Sequence, residues 1–264
     1  MSIIPKIFLT IIFIPVFLIL LILVSFKLQI LSPSFWTNTF NDHGVYQGLE
    51  TIAPKVVDYQ IKNNKEIKIS KKVLVSLLTK DNLKEFFEKN INHTLNYANG
   101  VSDKWTIFIP TKKLPKGLLP NFLLDKEDVS LDTLLSFLGR GGEETKAPAP
   151  HFSLLGSIST ISLIVWSVLV LLILFSLYRV GGAPIALFLT GALTLGLIGI
   201  INAAKSGIMS DLLKEGNEPA KLLLGTITPP VISEVTNLWI YFAVASILLA
   251  AILRLRFFHP SKTN

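Results

Sequence analysis

The sequence predicts a mainly α protein with four transmembrane helices and a small, mostly helical extracytoplasmic domain that has at most a short strand or hairpin. Four uncharged segments are long enough to cross a bilayer, since a span needs about 20 apolar residues at 1.5 Å per residue. All 25 Lys and Arg and all 18 Asp and Glu lie outside these segments. The segments are residues 7–26, 157–178, 184–203 and 235–253.

The low content of charge supports this prediction. Only 16% of the residues are charged, against about 25% in ordinary soluble domains. A soluble protein with very apolar core helices is disfavoured, because such helices normally keep one polar face. The pI of about 9.5 comes without a dense basic run, so the excess of basic residues indicates anionic lipid rather than nucleic acid as a partner.

Residues 1–26, which comprise the first span and the short segment before it, are predicted to form an uncleaved signal anchor. Its apolar run exceeds the 7–15 residues of a signal peptide, and no A-x-A cleavage site follows. The basic residues of the short segments predict a plasma membrane protein with both termini cytoplasmic and the large domain outside. These topology determinants are Lys6, Arg179, Arg254, Arg256 and Lys262.

The spacing of the spans predicts the domain organisation. Residues 27–138 are expected to form the extracytoplasmic domain, and residues 139–156, which include three glycines before Pro148, form a linker. Residues 157–253 form a three-helix bundle with an extracytoplasmic loop at 204–234, and residues 254–264 form a cytoplasmic tail. The leucines of that loop are expected to form a floor for the exterior domain, before a turn at Thr228-Pro229-Pro230.

Within the exterior domain, helices are predicted from caps and apolar periodicity. Ser32-Pro33 is a helix start, and a second helix covers 45–61 with a break or restart at Pro54. Further helices cover 71–78, 82–98 and 131–138; the clearest is 82–98, which has an apolar stripe and ends before Gly100. Residues 105–109 are the one good strand candidate.

Small residues predict how the last spans pack. Four of them in span three follow a spacing of four, three and four, which places them on one helix face, and span four has a weaker counterpart. We expect spans three and four to form a close antiparallel pair, while a homodimer contact through span three stays open. The seam consists of Ala192, Gly196, Gly199, Ala203, Ala243, Ser246 and Ala250.

No catalytic, cofactor or metal site is predicted. The chain has no cysteine, and its four histidines are not at ligand spacing. The four spans contain no ionisable residue, which argues against a proton relay or coupled transport by this chain alone. An enzyme is therefore not expected.

Short motifs give the chain a resemblance to other proteins. Leu31-Ser32-Pro33-Ser34-Phe35-Trp36 and Gly44-Val45-Tyr46 follow the first span, and Tyr97-Ala98-Asn99-Gly100 precedes Ile107-x-Ile109. With these motifs the chain resembles uncharacterised prokaryotic four-span membrane proteins that have a helical extracytoplasmic domain between the first and second spans. The resemblance covers almost the whole chain, and it implies this layout without any known activity.

The sequence leads to an expectation of function by class. We expect an integral membrane protein of the cell envelope that acts as a binding protein, scaffold or sensor. The alternative is an accessory subunit of a transporter or channel complex, and an enzyme acting on envelope lipid or wall polymer comes third. The expected partners are the lipid bilayer and another envelope or membrane protein, with no nucleic acid, and a homo-oligomer is left open.

Overall fold

The computed structural model describes residues 3–63, 71–110, 128–130, 133, 150–215 and 217–258. This part of the chain is mainly helical and contains one short two-stranded sheet, so the predicted fold class is confirmed at that level. A π-helical turn, Phe26–Ile30, follows α1, and a 3-10 turn, Pro150–Leu154, precedes α6. The helices are α1 (Ile3–Ser25), α2 (Pro33–Asp42), α3 (Val45–Asn63), α4 (Lys71–Leu77), α5 (Lys80–Ala98), α6 (Leu155–Arg179), α7 (Ala183–Glu215) and α8 (Glu218–Phe258).

Four helical segments are long and apolar enough to cross a membrane. They are Ile3–Ile30, His151–Arg179, Ala183–Lys205 and Glu218–Leu255, and each contains one of the predicted spans. The chain is thus a multi-pass membrane protein whose solvent along these helices is the lipid bilayer.

The chain divides into two compact units. Unit 1 comprises Met1–Gln29, Ile158–Ile208 and Ile232–Asn264, and unit 2 comprises Ile30–Ser157 and Met209–Val231. Most of the segment that the sequence assigns to the bundle as a loop therefore belongs to unit 2. The predicted helix at 131–138, apart from Thr133, and the linker up to residue 149 lie outside the described residues.

Two predicted helix breaks at proline are wrong. Helix α3 continues through Pro54, and α8 continues through Pro229 and Pro230, where the sequence predicted a turn. Proline has a φ that suits a helix but removes a backbone donor, at a cost of about 3 kcal/mol in a helix interior. Tertiary packing outweighs this cost in α8, because Leu223, Ile227 and Val231 on either side of the prolines pack against the core of unit 2.

Unit 1 has a core formed by four helices. Phe13 of α1 and Leu177 of α6 have no exposed surface, and Ala186 of α7 and Ala250 of α8 pack in the same cluster. The outward faces of these helices expose large aliphatic and aromatic side chains, as expected where the solvent is lipid. Polar bonds join the end of α1 to α8: the Trp239 indole N–H donates to Ser25 Oγ at 2.7 Å.

Helices α7 and α8 approach each other closely at Gly191. A Cβ at this position would lie 2.8 Å from the carbonyl oxygen of Ala243 and 2.7 Å from Ile247 Cγ1. The neighbouring Thr190 and Thr194 are fully buried, and each donates its hydroxyl to the carbonyl one turn earlier in its own helix. Their polar groups are thereby satisfied without a partner from another helix.

The predicted seam is correspondingly displaced on α7. On α8, Ala243, Ser246 and Ala250 are all buried. The stripe on α7 is exposed instead, and no atom lies within 4 Å of a Cβ built on either glycine of that stripe. The spacing of small residues shows that they share one face of α7. Because α7 is apolar on almost all sides, the spacing does not show which face packs against α8. The exposed stripe consists of Ala192, Gly196, Gly199 and Ala203.

Unit 2 is built around α2, α3 and α5. Its core contains Phe40, Tyr46 and Leu49, with partly buried residues of the first half of α8 packed against it. Helix α5 begins at an N-cap, Thr79, and ends in a glycine motif, because Gly100 has a φ of +70° and its N–H bonds the carbonyl of Tyr97.

A short antiparallel sheet completes the description of unit 2. Strand β1 (Phe108–Pro110) overlaps the end of the predicted strand at 105–109 and extends one residue past it. It pairs with β2 (Asp128–Ser130), which the sequence did not predict. Ile109 is the register partner of Val129. Three residues are too few for an alternating pattern, so β2 is recognisable only through its partner.

The close contact at Gly191 gives a test of the α7–α8 packing. Gly191→Ala should lower the stability of the detergent-solubilised protein by about 1–3 kcal/mol, because the new methyl group meets the carbonyl of Ala243. Gly199→Ala, the same change on the exposed stripe, should leave stability unchanged or raise it by up to about 1 kcal/mol, because alanine favours a helix interior over glycine. Thermal unfolding measures both. Equal losses in the two variants, or a larger loss at Gly199, would contradict this packing.

Candidate functional site

An apolar cavity of about 320 Å³ lies within unit 2. Its walls come from α3, α4, α5, β1 and the first half of α8. Asn82 is the one polar side chain in the described part of the lining. The described lining residues are Leu49, Ile52, Ala53, Val56, Leu77, Leu78, Asn82, Leu83, Phe86, Phe87, Ile109, Pro110 and Leu223.

Helical periodicity explains why these side chains converge. Leu49, Ile52, Ala53 and Val56 recur on α3 at intervals of three, one and three residues, which places them on one face of the helix. On α5, the predicted apolar stripe supplies the opposite wall. The sequence therefore predicted which residues of α5 point inward, although not that they leave a cavity.

Asn82 has a structural role at the cavity wall. Its side-chain Nδ2 donates to the carbonyl of Leu77 at 3.0 Å, and its backbone N–H donates to Thr79 Oγ1 at 3.4 Å. These bonds fix the turn between α4 and α5. With the amide nitrogen used in this way, apolar contact is the main interaction that the described walls offer to a ligand.

Asn90 holds β1 at the edge of the cavity. The Phe108 N–H donates to Asn90 Oδ1 at 2.7 Å, and Asn90 Nδ2 donates to the carbonyls of Phe108 at 2.9 Å and Phe86 at 2.8 Å. The side chain thus satisfies both backbone groups of one strand residue, as a neighbouring strand would. This anchor positions Ile109 and Pro110, which line the cavity. No sequence pattern indicated it.

The ring of Phe108 is packed between two basic side chains of α5. The His93 ring centroid lies 4.3 Å from that of Phe108, and Lys89 Nζ lies 5.3 Å from the same centroid. Burial, with a smaller contribution from the Lys89 charge, lowers the pKa of His93 below its ordinary value. Neutral histidine is therefore favoured, which suits a side chain packed against an aromatic ring.

A second polar group lies between α2, α3 and α5. The Tyr46 hydroxyl donates to Glu88 Oε1 at 3.5 Å, and Asn41 Nδ2 donates to the same oxygen at 3.1 Å. Burial, reinforced by the Glu88 charge, raises the pKa of Tyr46. The Tyr46 phenol therefore stays neutral, and its hydrogen bond to Glu88 has a structural role rather than that of a general base. Neither Tyr46 nor Glu88 lines the cavity.

No group of three or more His, Asp or Glu residues is placed to hold a metal ion within the ranges that the structure describes. The described lining of the cavity contains no titratable or nucleophilic side chain. What the described walls offer to a ligand is apolar contact.

The predicted topology determinants lie at helix ends of unit 1. Lys6 is in the first turn of α1, and Arg254 is in the last two turns of α8; both line a second cavity. Arg179 ends α6, with its guanidinium 4.7 Å from the ring centroid of Phe175. Arg256 lies in α8, and Lys262 is outside the described residues.

Comparison of the chain with protein-family models, with curated proteins and with solved structures finds no match. The class is therefore defined by the fold and the cavity. The chain is a multi-pass membrane protein whose unit 2 contains an apolar cavity.

The role of Asn90 can be tested by substitution. Asn90→Ala should destabilise the protein by about 1–3 kcal/mol, because the backbone N–H and carbonyl of Phe108 lose their partner. Asn92→Ala is the matched control on the same helix; Asn92 is exposed, and its change should stay within about 0.5 kcal/mol. Thermal unfolding in detergent measures both. Similar stabilities of the two variants would contradict the anchor.

Proposed function

We propose that this protein is an integral membrane protein of the cell envelope that works by binding, as a scaffold or sensor, and that unit 2 binds the hydrocarbon part of a lipid or lipid-linked molecule. The observation that supports this proposal is the apolar cavity between α3, α5 and β1. A binding role needs no reacting group, and the described lining supplies none.

The volume of the cavity suits one hydrocarbon chain. About 320 Å³ is at the lower end of the range of about 300–1,000 Å³ for ligand pockets. A hydrocarbon chain that occupied the pocket would remove apolar wall surface from water, which favours binding by about 25 cal/mol per Å² of surface buried.

The chemistry of the walls favours an apolar ligand over a polar one. A polar ligand would lose its bonds to water on entering and would find one polar side chain, Asn82, in the described lining. Catalysis is not part of the proposal, because the described lining contains no acid, base or nucleophile. An activity on envelope lipid or wall polymer would need such groups.

We place both termini in the cytoplasm and unit 2 outside. The support is the distribution of charge: Lys6, Arg179 and Arg254 lie near one set of helix ends, and Glu234 lies at the opposite end of the apolar segment 235–253 of α8. Basic residues next to spans favour the cytoplasmic side, while acidic residues contribute little. On this orientation the first span is a signal anchor in the plasma membrane.

An accessory role in a transporter or channel complex is the second candidate. The observation that favours it is the exposed small-residue stripe of α7, with Gly196 and Gly199 at its centre. Small residues let a helix from another protein approach closely within lipid. Recovery of the chain from native membranes in a fixed ratio with a transporter would favour this role over the first.

Binding in unit 2 can be tested with a photoreactive palmitic acid that bears a diazirine in its chain. In nanodiscs, this probe should label peptides of α3 and α5, and unlabelled palmitic acid should compete. Val56→Phe places a ring in the cavity and should reduce this labelling about tenfold or more, because the added volume displaces the chain. Mass spectrometry of the peptides measures the labelling.

The matched control is Val101→Phe, the same change at an exposed residue of unit 2. It should leave the labelling of α3 and α5 unchanged. Labelling confined to the four spans, or labelling that Val56→Phe does not reduce, would rule out the cavity as a binding site for hydrocarbon.

Reporter fusions test the orientation. Alkaline phosphatase, which is active only when exported, should be active when fused after Arg140 and inactive when fused after Asn264. A fluorescent protein that folds only in the cytoplasm should give the reverse pattern. An exported C-terminus would contradict the proposed topology, and it would leave the fold of each unit unaffected.

A further inference from the structure

A second cavity, of about 780 Å³, lies within unit 1. It is bounded by the first turn of α1, the turn between α6 and α7, and the last turns of α8. Two cationic side chains, Lys6 and Arg254, line it together with apolar residues that include Phe188, Leu189 and Ile247. The site therefore combines positive charge with an apolar wall.

The turn between α6 and α7 lies beside Lys6. Gly181 has a φ of +71°, and the N–H groups of Gly181 and Gly182 bond the carbonyls of Tyr178 at 3.0 Å and Leu177 at 2.7 Å. This glycine motif ends α6 and reverses the chain. A Cβ at Gly181 would lie 3.7 Å from Lys6 Nζ, so the turn places its backbone beside the ammonium group.

The fixed charge at this end of unit 1 is positive. The sequence of unit 1 contains a single acidic residue, Glu234. It lies on the same helix as Arg254 but about 30 Å away at 1.5 Å per residue. The first turn of α7, which begins at Ala183 beside the cavity, adds the positive end of its helix dipole.

We propose that this cavity binds an anionic phospholipid, with the phosphate held by Lys6 and Arg254 and an acyl chain lying along Phe188 and Ile247. Basic pockets between transmembrane helices suit anionic headgroups, because ammonium and guanidinium groups bind phosphate. The apolar wall favours a lipid over a soluble phosphate, which would gain nothing from it. The site uses residues of unit 1 alone, so it goes beyond the proposed binding in unit 2 and is independent of it.

Native mass spectrometry of the full chain in detergent tests this site, with dioleoylphosphatidylglycerol as the probe. Lys6→Gln and Arg254→Gln should each weaken binding about tenfold, since each change removes a charge-assisted hydrogen bond to the phosphate. Dioleoylphosphatidylcholine, which has no net charge, should bind the wild type at least as weakly as the single variants bind the anionic lipid.

Arg179→Gln is the matched control. It removes one cation from the same set of helix ends, at an exposed residue that is not among the described lining residues, and it should change affinity less than twofold. The double variant Lys6→Arg with Arg254→Lys keeps both charges and should retain binding within about twofold. That result separates loss of charge from loss of folding.

Three outcomes would overturn the proposal. The first is unchanged affinity in both Lys6→Gln and Arg254→Gln. The second is an equal loss in Arg179→Gln, which would mean that general surface charge attracts the lipid. The third is displacement of the lipid by glycerol 3-phosphate at equal concentration, which would assign the site to a soluble phosphate.

Discussion

Lipid accepts neither an unpaired backbone group nor an isolated charge, and the structure of this chain depends on that constraint. Four helices pair their backbone groups internally, and all 43 charged side chains of the sequence, 25 basic and 18 acidic, fall outside their apolar segments. The charges nearest the spans therefore lie at helix ends, as Lys6, Arg179 and Arg254 do. Because hydrophobicity does not drive helices together in lipid, close approach at Gly191 and the packing of Ala243 and Ala250 take over that role.

Helix α8 contributes residues to both units. Its first half supplies Leu223, Ile227 and Val231 to the packing around the core of unit 2, and its second half supplies Ala250 to the core of unit 1. Two prolines lie within the first half, where packing offsets their cost. The polar side chains of unit 2 serve structure: Asn90 anchors a strand, and Asn82 fixes a turn. The cavity between them is left to apolar contacts.

Both candidate sites have the chemistry of lipid, although they differ in kind. The cavity of unit 2 has almost no polar group in its described lining, whereas the cavity of unit 1 places Lys6 and Arg254 above an apolar wall. The cavity of unit 2 suits an acyl chain whatever its headgroup, and the cavity of unit 1 suits an anionic headgroup together with its acyl chain. The binding role that we propose rests on the chemistry of these two cavities.

Much of this protein is determined by local sequence. The spans follow from length and absence of charge, and the inward residues of α5, such as Leu83 and Phe87, follow from helical period, because both signals lie within one segment. Tertiary structure alone decided which face of α7 meets α8, that Asp128–Ser130 pairs with β1, and that α3 and α8 continue through proline. It also decided that Asn90 bonds a strand and that apolar walls in each unit leave a cavity. Each of these depends on a partner distant in sequence, whose packing or hydrogen bonds outweigh the local preference.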